Sequence, residues 1–577
     1  MKRKTSRIKR AVFIVIGIVF FLSPYILVAE QFTPNNRKEE KISYGIFDQL
    51  TWLFSDSKPG EKPTKVARLL APCGGRPGFQ VLLEGVPEGT EVQFTSDGLV
   101  DRKGHWLKDI SVNLLHSVPV EYNTGETGFT TRKHSPVAEG VSRIAPFRCF
   151  DVIEPIKKGT HTWKDDAAAF YVGIGIPNSA LPGRYSGKVR ITAGDGSVIV
   201  PVKLEVAAVH LPSKIDLSQT IWYDINNMAS FHGLELWSSG HWRMIHKYAE
   251  MMVAHHQNIF RADLRLVDKK KDTNDNWTFD FSRLERLMHI MIDAGMTHIE
   301  GGHIGSCKKW GESEIYIWPS SELWEQEVRI SSEKAQDFLA QFLPEWRFFL
   351  EKHGWYGMLC QHVSDEPTHG AFCDYLAGAC AVRKYLPGVP IIDAVEFPDL
   401  GSAVDWWVIK PEQYEGDFDA YDKPRSNGDQ IWCYTCCKPG GRYMNRLLDF
   451  PLLRVRLLAW GCAKYDMPGY LHWALNSWSP VKDPFKHSIK PDDSNDIPVG
   501  DRYIVYPGPD GPWSSMRYEA QREGWEDYAL LMMARKQLNP EQFDTLVSKT
   551  VRGFSDFTDD PAIFRRQYRE LLMLVSD

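Results

Sequence analysis

The chain has 577 residues, too many for one hydrophobic core, so two to four domains are expected. With 43% hydrophobic and 25% charged residues the composition is that of a folded protein, which excludes a mainly disordered chain. The net charge of −6 becomes −12 once the basic first 29 residues are set aside, leaving 62 basic residues against 74 acidic and arguing against nucleic acid as a partner.

In chain order, the first ten residues carry six positive charges and Ala11 to Ala29 carry none. A basic start followed by an apolar run marks an export signal. The segment is short for a span at Ala11–Leu22 and just long enough when extended to Ala29, so residues 1–29 read as a signal peptide or a signal anchor. The expected location is outside the cytoplasm, either free or anchored to the membrane through residues 11–29. Residues 30–65 are polar, with Ser57-Lys-Pro-Gly-Glu-Lys-Pro63 among them, and read as a linker. Ile46 to Phe54 is its one apolar patch, the size of a docked turn.

From 66 to 210 short β-rich runs alternate with turn signals. They are Phe79–Val86, Glu91–Phe94, Ser111–Tyr122, Ala169–Ile176, Gly187–Ala193 and Ser197–Val206, with Leu181-Pro-Gly183 and Gly194-Asp-Gly196 between some of them. An antiparallel β-sandwich follows from that pattern.

After about residue 215 strand-like and helix-like runs alternate. Eight strands are predicted at Gln219–Asp224, Asn258–Ala262, Thr297–Gly302, Met358–Val363, Pro390–Val395, Asp405–Val408, Gln430–Tyr434 and Gly469–Trp473. Helices are predicted at Trp242–His255, Phe281–Ala294, Ser331–His353, Ala371–Tyr385, Pro451–Lys464 and Ser515–Gln537. The sum is a (β/α)8 barrel over 215–577 with a closing helical extension. A doubly wound open sheet fits less well, because no glycine fingerprint follows the first strand.

Barrel chemistry occurs at the carboxyl ends of the strands. There the fourth strand runs into His362-Val-Ser-Asp-Glu-Pro367, placing Asp365 and Glu366 side by side. Adjacent carboxylates in a dehydrated site have their proton affinities pushed apart, which suits one ionised and one protonated acid. His362 on the same strand, and His303, Trp432, Tyr434, Trp473 and Asn476 at other strand ends, are candidate sugar contacts. The chain holds 20 tryptophans, and flat amphipathic rings suit the faces of sugars. Each of these aromatics has barrel packing as its competing explanation.

Two carboxylates in a tryptophan-lined mouth suggest glycoside hydrolysis. The usual schemes set the acids on opposite sides of the scissile bond. Neighbours in sequence suit a route in which the sugar's own 2-acetamido group attacks the anomeric carbon.

The segment His362–Pro367 resembles the catalytic stretch of glycoside hydrolase family 123, the β-N-acetylgalactosaminidases. Ile431-Trp-Cys-Tyr434, Gly469-Tyr-Leu-His-Trp-Ala-Leu-Asn-Ser-Trp478, Tyr506-Pro-Gly508 and Ser515–Tyr528 agree with it. The resemblance implies an N-terminal β-sandwich and an enzyme removing a terminal β-linked N-acetylhexosamine, most simply N-acetylgalactosamine, from a glycan or glycolipid. It implies that Asp365 holds the acetamido group and that Glu366, its proton affinity raised, is the acid and base. No cofactor and no metal are implied.

Four further expectations complete the reading. A sugar-binding surface protein without catalysis would keep the same fold. A metal hydrolase using His255, His256, His303 and Asp365 lacks the His-x-His expected at the first strand, where Ile221-Trp-Tyr-Asp224 stands. Cys433-Tyr-Thr-Cys436-Cys437 has no second ligand pair at zinc spacing and reads as buried thiols or a local disulfide. Arg517, Glu519, Arg522, Glu523 and Asp527 on the last helix read as an ion network bracing the barrel from outside.

Overall fold

The computed structural model describes residues 42–576 apart from 61–62, 134, 164, 166, 275, 319–323, 325 and 491–496. The predicted signal or anchor segment and residues 30–41 of the predicted linker lie outside the described residues.

Two β-sheets form the first part. One has seven strands, ordered Tyr44–Asp48, Gly78–Glu84, Ala167–Ile174, Ile110–Val120, Phe147–Pro155, Gly511–Ser515 and Tyr506–Gly508. The other has five, ordered Ala67–Cys73, Gly196–His210, Gly183–Ala193, Val92–Val100 and Trp106–Leu107. Their facing side chains, among them Val81, Leu114, Phe170, Val189, Val200 and Leu204, make a closed apolar core. This is the predicted sandwich, and all of its pairings are antiparallel except that of Ala67–Cys73 with Gly196–His210.

The structure draws two predicted boundaries differently. Tyr44–Asp48 is an edge strand paired with Gly78–Glu84, and Leu50, Trp52 and Leu53 behind it are buried, so the sandwich begins well before residue 66. Five residues among charged neighbours are too short a run to register as a strand. Tyr506–Gly508 and Gly511–Ser515 also join the seven-stranded sheet, through Ser514 and Ser515 opposite Ile153 and Val152. Residues 215–577 therefore supply the sandwich with its last two strands.

The seven-stranded sheet is covered on both faces. Leu82, Leu115, Val152 and Tyr171 point away from the sandwich core and into the large core shared with the barrel. That double burial explains why Ala167–Ile174 is buried at every position and reads as one unbroken apolar run.

The eight predicted barrel strands are all present: Ser218–Ile221, Ile259–Ala262, His298–Gly301, Leu359–Gln361, Ile392–Ala394, Trp406–Ile409, Gln430–Tyr434 and Gly469–His472. Seven parallel pairings join them, and a single parallel bridge between Gln361 and Ile391 completes the circle from the fourth strand to the fifth. The helices start where side-chain caps stand. Ser238, Ser332 and Ser515 each accept a backbone N–H from the first turn of Ser239–Ala254, Glu333–Lys352 and Met516–Gln537. Gly295, at φ 119°, ends Ser282–Ala294 in the left-handed conformation that favours glycine. The fifth strand reaches the sixth through a 3-10 turn, Gly401–Ala403, with no α-helix between them. Among the described residues no helix is long and apolar enough to cross a membrane.

Helix Met516–Gln537 was expected outside the barrel as a brace. It is buried along most of its length, because it lies between the barrel and the seven-stranded sheet. Arg517 reaches Asp151 of that sheet at 2.9 Å and Arg522 reaches Glu519 at 2.9 Å, while Arg456 of helix Leu452–Lys464 takes Asp527 at 2.7 Å. The network joins sandwich to barrel.

Candidate active site

The fourth strand ends at Gln361 and the chain turns through Ser364, Asp365 and Glu366 before Pro367. Glu366 has φ 41°, in the left-handed region, and it precedes a proline, which itself restricts that residue. Such a backbone costs about 1–3 kcal/mol and is retained where the surroundings over-determine it. Here the turn separates the two carboxylates into different environments.

Glu366 is held on every side. Tyr434 Oη donates to its Oε1 and Trp310 Nε1 to its Oε2, and Lys410 Nζ stands 3.8 Å away. Its backbone N–H donates to Ala394 O of the fifth strand at 3.1 Å. Lys410 also pairs with Glu396 and donates to Tyr434 Oη at 3.1 Å. Burial disfavours the ammonium, but the charges of Glu366 and Glu396 outweigh it and keep Lys410 above its ordinary value.

Asp365 has no hydrogen-bond donor among the described residues, and its side chain is open to solvent. Dehydration by the surrounding protein, followed by the like charge of Glu366, pushes its carboxyl up to about 7. Because water reaches the carboxylate from the mouth, the dehydration is incomplete, and the neighbouring charge is the more durable cause. Like charge at close range thus raises the proton affinity of Asp365.

Beneath the pair lies a row of buried charge. His362 places Nδ1 2.5 Å from Asp393 Oδ1 and Nε2 2.6 Å from Glu300 Oε1. Burial opposes the imidazolium, yet the two carboxylates outweigh it and raise His362 to about 9. Asp393 is itself raised by burial, which His362 offsets only in part. With one imidazole between two carboxylates, the positive charge stands on His362. Glu300 is held low: burial is the largest influence and works the other way, but His362 and Thr220 overcome it. Asp393 Oδ2 also accepts Val363 N–H at 2.9 Å and Tyr375 Oη at 2.6 Å, so this row fixes the backbone that presents Asp365.

Beside the pair, the ends of the first, second and eighth strands enclose a recess of about 420 Å³, room for one monosaccharide. Trp222, Trp237, Trp473, Arg261 and Asn476 line it. Asp365 and Glu366 are not part of its wall. Arg261 connects the two places: it lies over the Trp222 ring at 4.6 Å, donates to His303 Nδ1 at 2.9 Å, and its charge is felt at Asp365.

The other predicted sugar contacts divide. His303 is buried, and burial followed by the His362 charge keeps it well below its ordinary value, hence neutral. Its Nε2 is buried with no hydrogen-bond partner among the described residues, 3.9 Å from Asp393 Oδ1. Tyr434 touches Glu366. Trp473 lines the recess with its N–H on Asp501 at 3.0 Å. Asn476 also lines it, but both ends of its amide are used on the backbone of Asp224, at 2.8 and 3.0 Å. His362 has both ring nitrogens spent on carboxylates and is not a hydroxyl ligand. Trp432 is fully buried, stacked on Trp406 at 5.1 Å and packed where a side chain at Gly469 would stand, so it fills the barrel instead of walling a sugar. Asp224 caps helix Ile225–Ser230.

The metal constellation is not assembled. His255 and His256 face Glu519 and Glu526 of helix Met516–Gln537, away from His303 and Asp365. His303, His362 and Asp393 do lie within ligand distance of one another, but an ion there would have to take a His362 nitrogen that already carries a carboxylate. All ten cysteines are free, with Cys436 and Cys437 sulfurs 4.0 Å apart.

Sequence reasoning missed Glu300, Arg261, Lys410, Trp222, Trp237 and Trp310. A charge inside a short apolar strand is the available signal for Glu300 and Arg261, since such groups are buried only when paired or used. Trp310 carries no such signal; its loop contact with Glu366 exists only in three dimensions.

Comparison with known proteins bears on the family and the fold. The family profile of the glycoside hydrolase 123 catalytic domain matches residues 222–534, more than half of the chain. The protein belongs to glycoside hydrolase family 123. Among solved structures it is similar to the family 123 glycoside hydrolase from Clostridium perfringens whose structure details glycolipid glycan hydrolysis. The TM-score is 0.72 at 16% identity, covering 93% of this chain and 97% of that one. It also aligns with a bacterial Ig-like domain-containing GH10 xylanase from termite gut, at TM-score 0.32 and 13% identity over 80% of this chain and 99% of that one. A search of curated proteins finds no match. As a family 123 member the chain is a glycoside hydrolase with a TIM-like barrel, and the strand-four acid pair lies inside the matched region.

Proposed function

We propose that this family 123 enzyme removes a terminal β-linked N-acetylhexosamine, with N-acetylgalactosamine as the first choice, by a substrate-assisted route with retention. The observation that carries the reading is how the mouth's carboxylates are used. Glu300 and Asp393 are locked on His362, Glu396 on Lys410 and Asp263 on Arg265. Asp501 takes the Trp473 N–H. Asp365 has no donor among the described residues, and Glu366 beside it is held by Tyr434, Trp310 and Lys410, so the two are adjacent acids that cannot flank a glycosidic bond as nucleophile and acid.

In the proposed reaction Asp365 accepts the acetamide N–H, and the acetamide oxygen attacks the anomeric carbon. Glu366 gives its proton to the departing glycosidic oxygen, leaving an oxazolinium-like ring. Glu366 then takes a proton from water as that water opens the ring. An amide N–H on Asp365 favours its ionised form, so substrate binding moves the pair's shared proton toward Glu366. Tyr434 suits either state of Glu366, because a phenol can donate or accept. His303 Nε2 and the Trp473 and Trp222 rings offer a polar contact and apolar faces for the sugar. Glycolipid glycans, the material hydrolysed by the Clostridium perfringens enzyme, are the proposed natural source, met outside the cytoplasm.

A panel of aryl β-glycosides differing only at C2 and C4 tests this. Turnover confined to 2-acetamido sugars, fastest with the galacto configuration, is expected. Comparable turnover of the 2-hydroxy sugar would end the substrate-assisted reading.

A further inference from the structure

A recess of about 880 Å³ lies apart from the acid pair, neither of whose members lines it. It lies where the five-stranded sheet meets helix Pro561–Val575. Seven cations line it against three carboxylates, in a chain whose net charge is negative. All three carboxylates are engaged: Asp48 by Arg565 at 2.8 Å, Glu205 by Arg569 at 3.0 Å and Asp101 by His105 at 2.9 Å. Arg68, Arg102, Arg184, Lys203 and Arg566 have no carboxylate partner among the described residues.

Strand register sharpens the picture. Arg68 is directly opposite Lys203, Lys203 opposite Ser186, Ser186 opposite Val100, and Val100 opposite Trp106. Residues directly opposite share a face, so these five form one row across the sheet, four strand spacings or roughly 19 Å long. Arg68, Ser186, Lys203 and Trp106 are exposed, so the row lies on the outer face; Trp106 shows about half of its surface. Two like charges directly opposite are destabilising, and here they stand without a compensating acid. An exposed tryptophan at the other end has no packing reason to be there.

We propose that this face is a second carbohydrate site, binding an oligosaccharide that carries sulfate or carboxylate groups. The row would run along the sugar chain, with Trp106 stacking on a ring and Arg68 and Lys203 taking the acidic substituents. The ligand is a glycan chain and not an anionic bilayer, because the cations sit in a concave recess beside a helix and a flat surface cannot reach them together. The site goes beyond the catalytic reading and does not depend on it.

The test is calorimetric binding of a sulfated glycosaminoglycan hexasaccharide to the full folded protein carrying Glu366→Gln, which prevents its consumption. Arg68→Ala with Lys203→Ala should weaken binding roughly tenfold or more, and so should desulfation and carboxyl reduction of the hexasaccharide. Trp106→Ala should weaken it severalfold, while Lys203→Arg keeps it. In the otherwise native enzyme the double variant should leave aryl glycoside turnover unchanged and should raise the melting temperature slightly, since the like-charge pair is gone. Hexasaccharide binding that is indifferent to the double variant would overturn the proposal. So would binding of phosphatidylglycerol vesicles without binding of the hexasaccharide.

Discussion

Two networks of buried charge run through this protein, and they are built to different ends. On helix Met516–Gln537 each charged side chain from Arg517 to Asp527 has an ion partner. Arg517 spends its donors on Asp151 and on the carbonyls of Arg446, Gly500 and Tyr503, and Arg456 grips Asp527 with two bonds while also reaching Glu523. In the barrel mouth the accounting stays open. Asp365 has no donor among the described residues, and His303 Nε2 and Arg261 Nε are buried without partners. A satisfied network fixes one domain against another; an unsatisfied one is a place for a ligand. The row Glu300–His362–Asp393 belongs to the first kind in chemistry and serves the second in position.

The largest effects should come from the acid pair. Glu366→Gln should cost roughly 10²–10⁴-fold in kcat on sugars with poor leaving groups, spare activated aryl glycosides, and respond to azide. Asp365→Asn should damage both substrate types, since the attacking amide is then misaligned. Equal losses in both variants on both substrates would break the division of roles.

Next come the two networks themselves. Arg517→Ala leaves Asp151 buried without its cation, held only by Tyr506 Oη and a backbone N–H, and should cost about 3–5 kcal/mol of unfolding free energy. Its kcat/KM, measured well below the melting temperature, should be unchanged. His362→Gln leaves Glu300 and Asp393 facing each other and should cost a similar amount, but kcat should fall as well because the Asp365 backbone loses its support. If His362→Gln melted early with kcat intact, the row would be simple bracing.

The pH dependence separates the two regions more finely. His362 is raised from its unfolded value near 6.5 to about 9. Its contribution is complete below about pH 6.5 and lost as pH rises through 9, so the melting temperature should fall there in the native protein and not in His362→Gln. Asp365 changes stability in the same direction, over a lower pH range. An acid raised to about 7 binds its proton more tightly folded than unfolded, so stability declines as pH rises from about 4 to 7. Asp365→Asn should therefore raise the melting temperature more at pH 8 than at pH 4. This is the smallest expected effect, since the carboxylate is partly hydrated.

Much of this was legible in the chain itself. The eight barrel strands and their helices were readable because apolar runs of three to five residues alternate with segments of helical period, a pattern that depends only on local geometry. Asp365 and Glu366 were readable because their strand ends at a proline and because the surrounding motif is specific to a family. What the sequence left undecided depends on distance. Which acids are free and which are locked follows from Glu300, His362 and Asp393 meeting across three strands. Whether an aromatic walls a sugar or fills the barrel follows from Gly469 standing beside Trp432. That Tyr44–Asp48 and Gly511–Ser515 belong to one sheet follows from pairings hundreds of residues apart. Local pattern determines which elements form and where strand ends point; only packing decides which of the groups brought there have already found their partners.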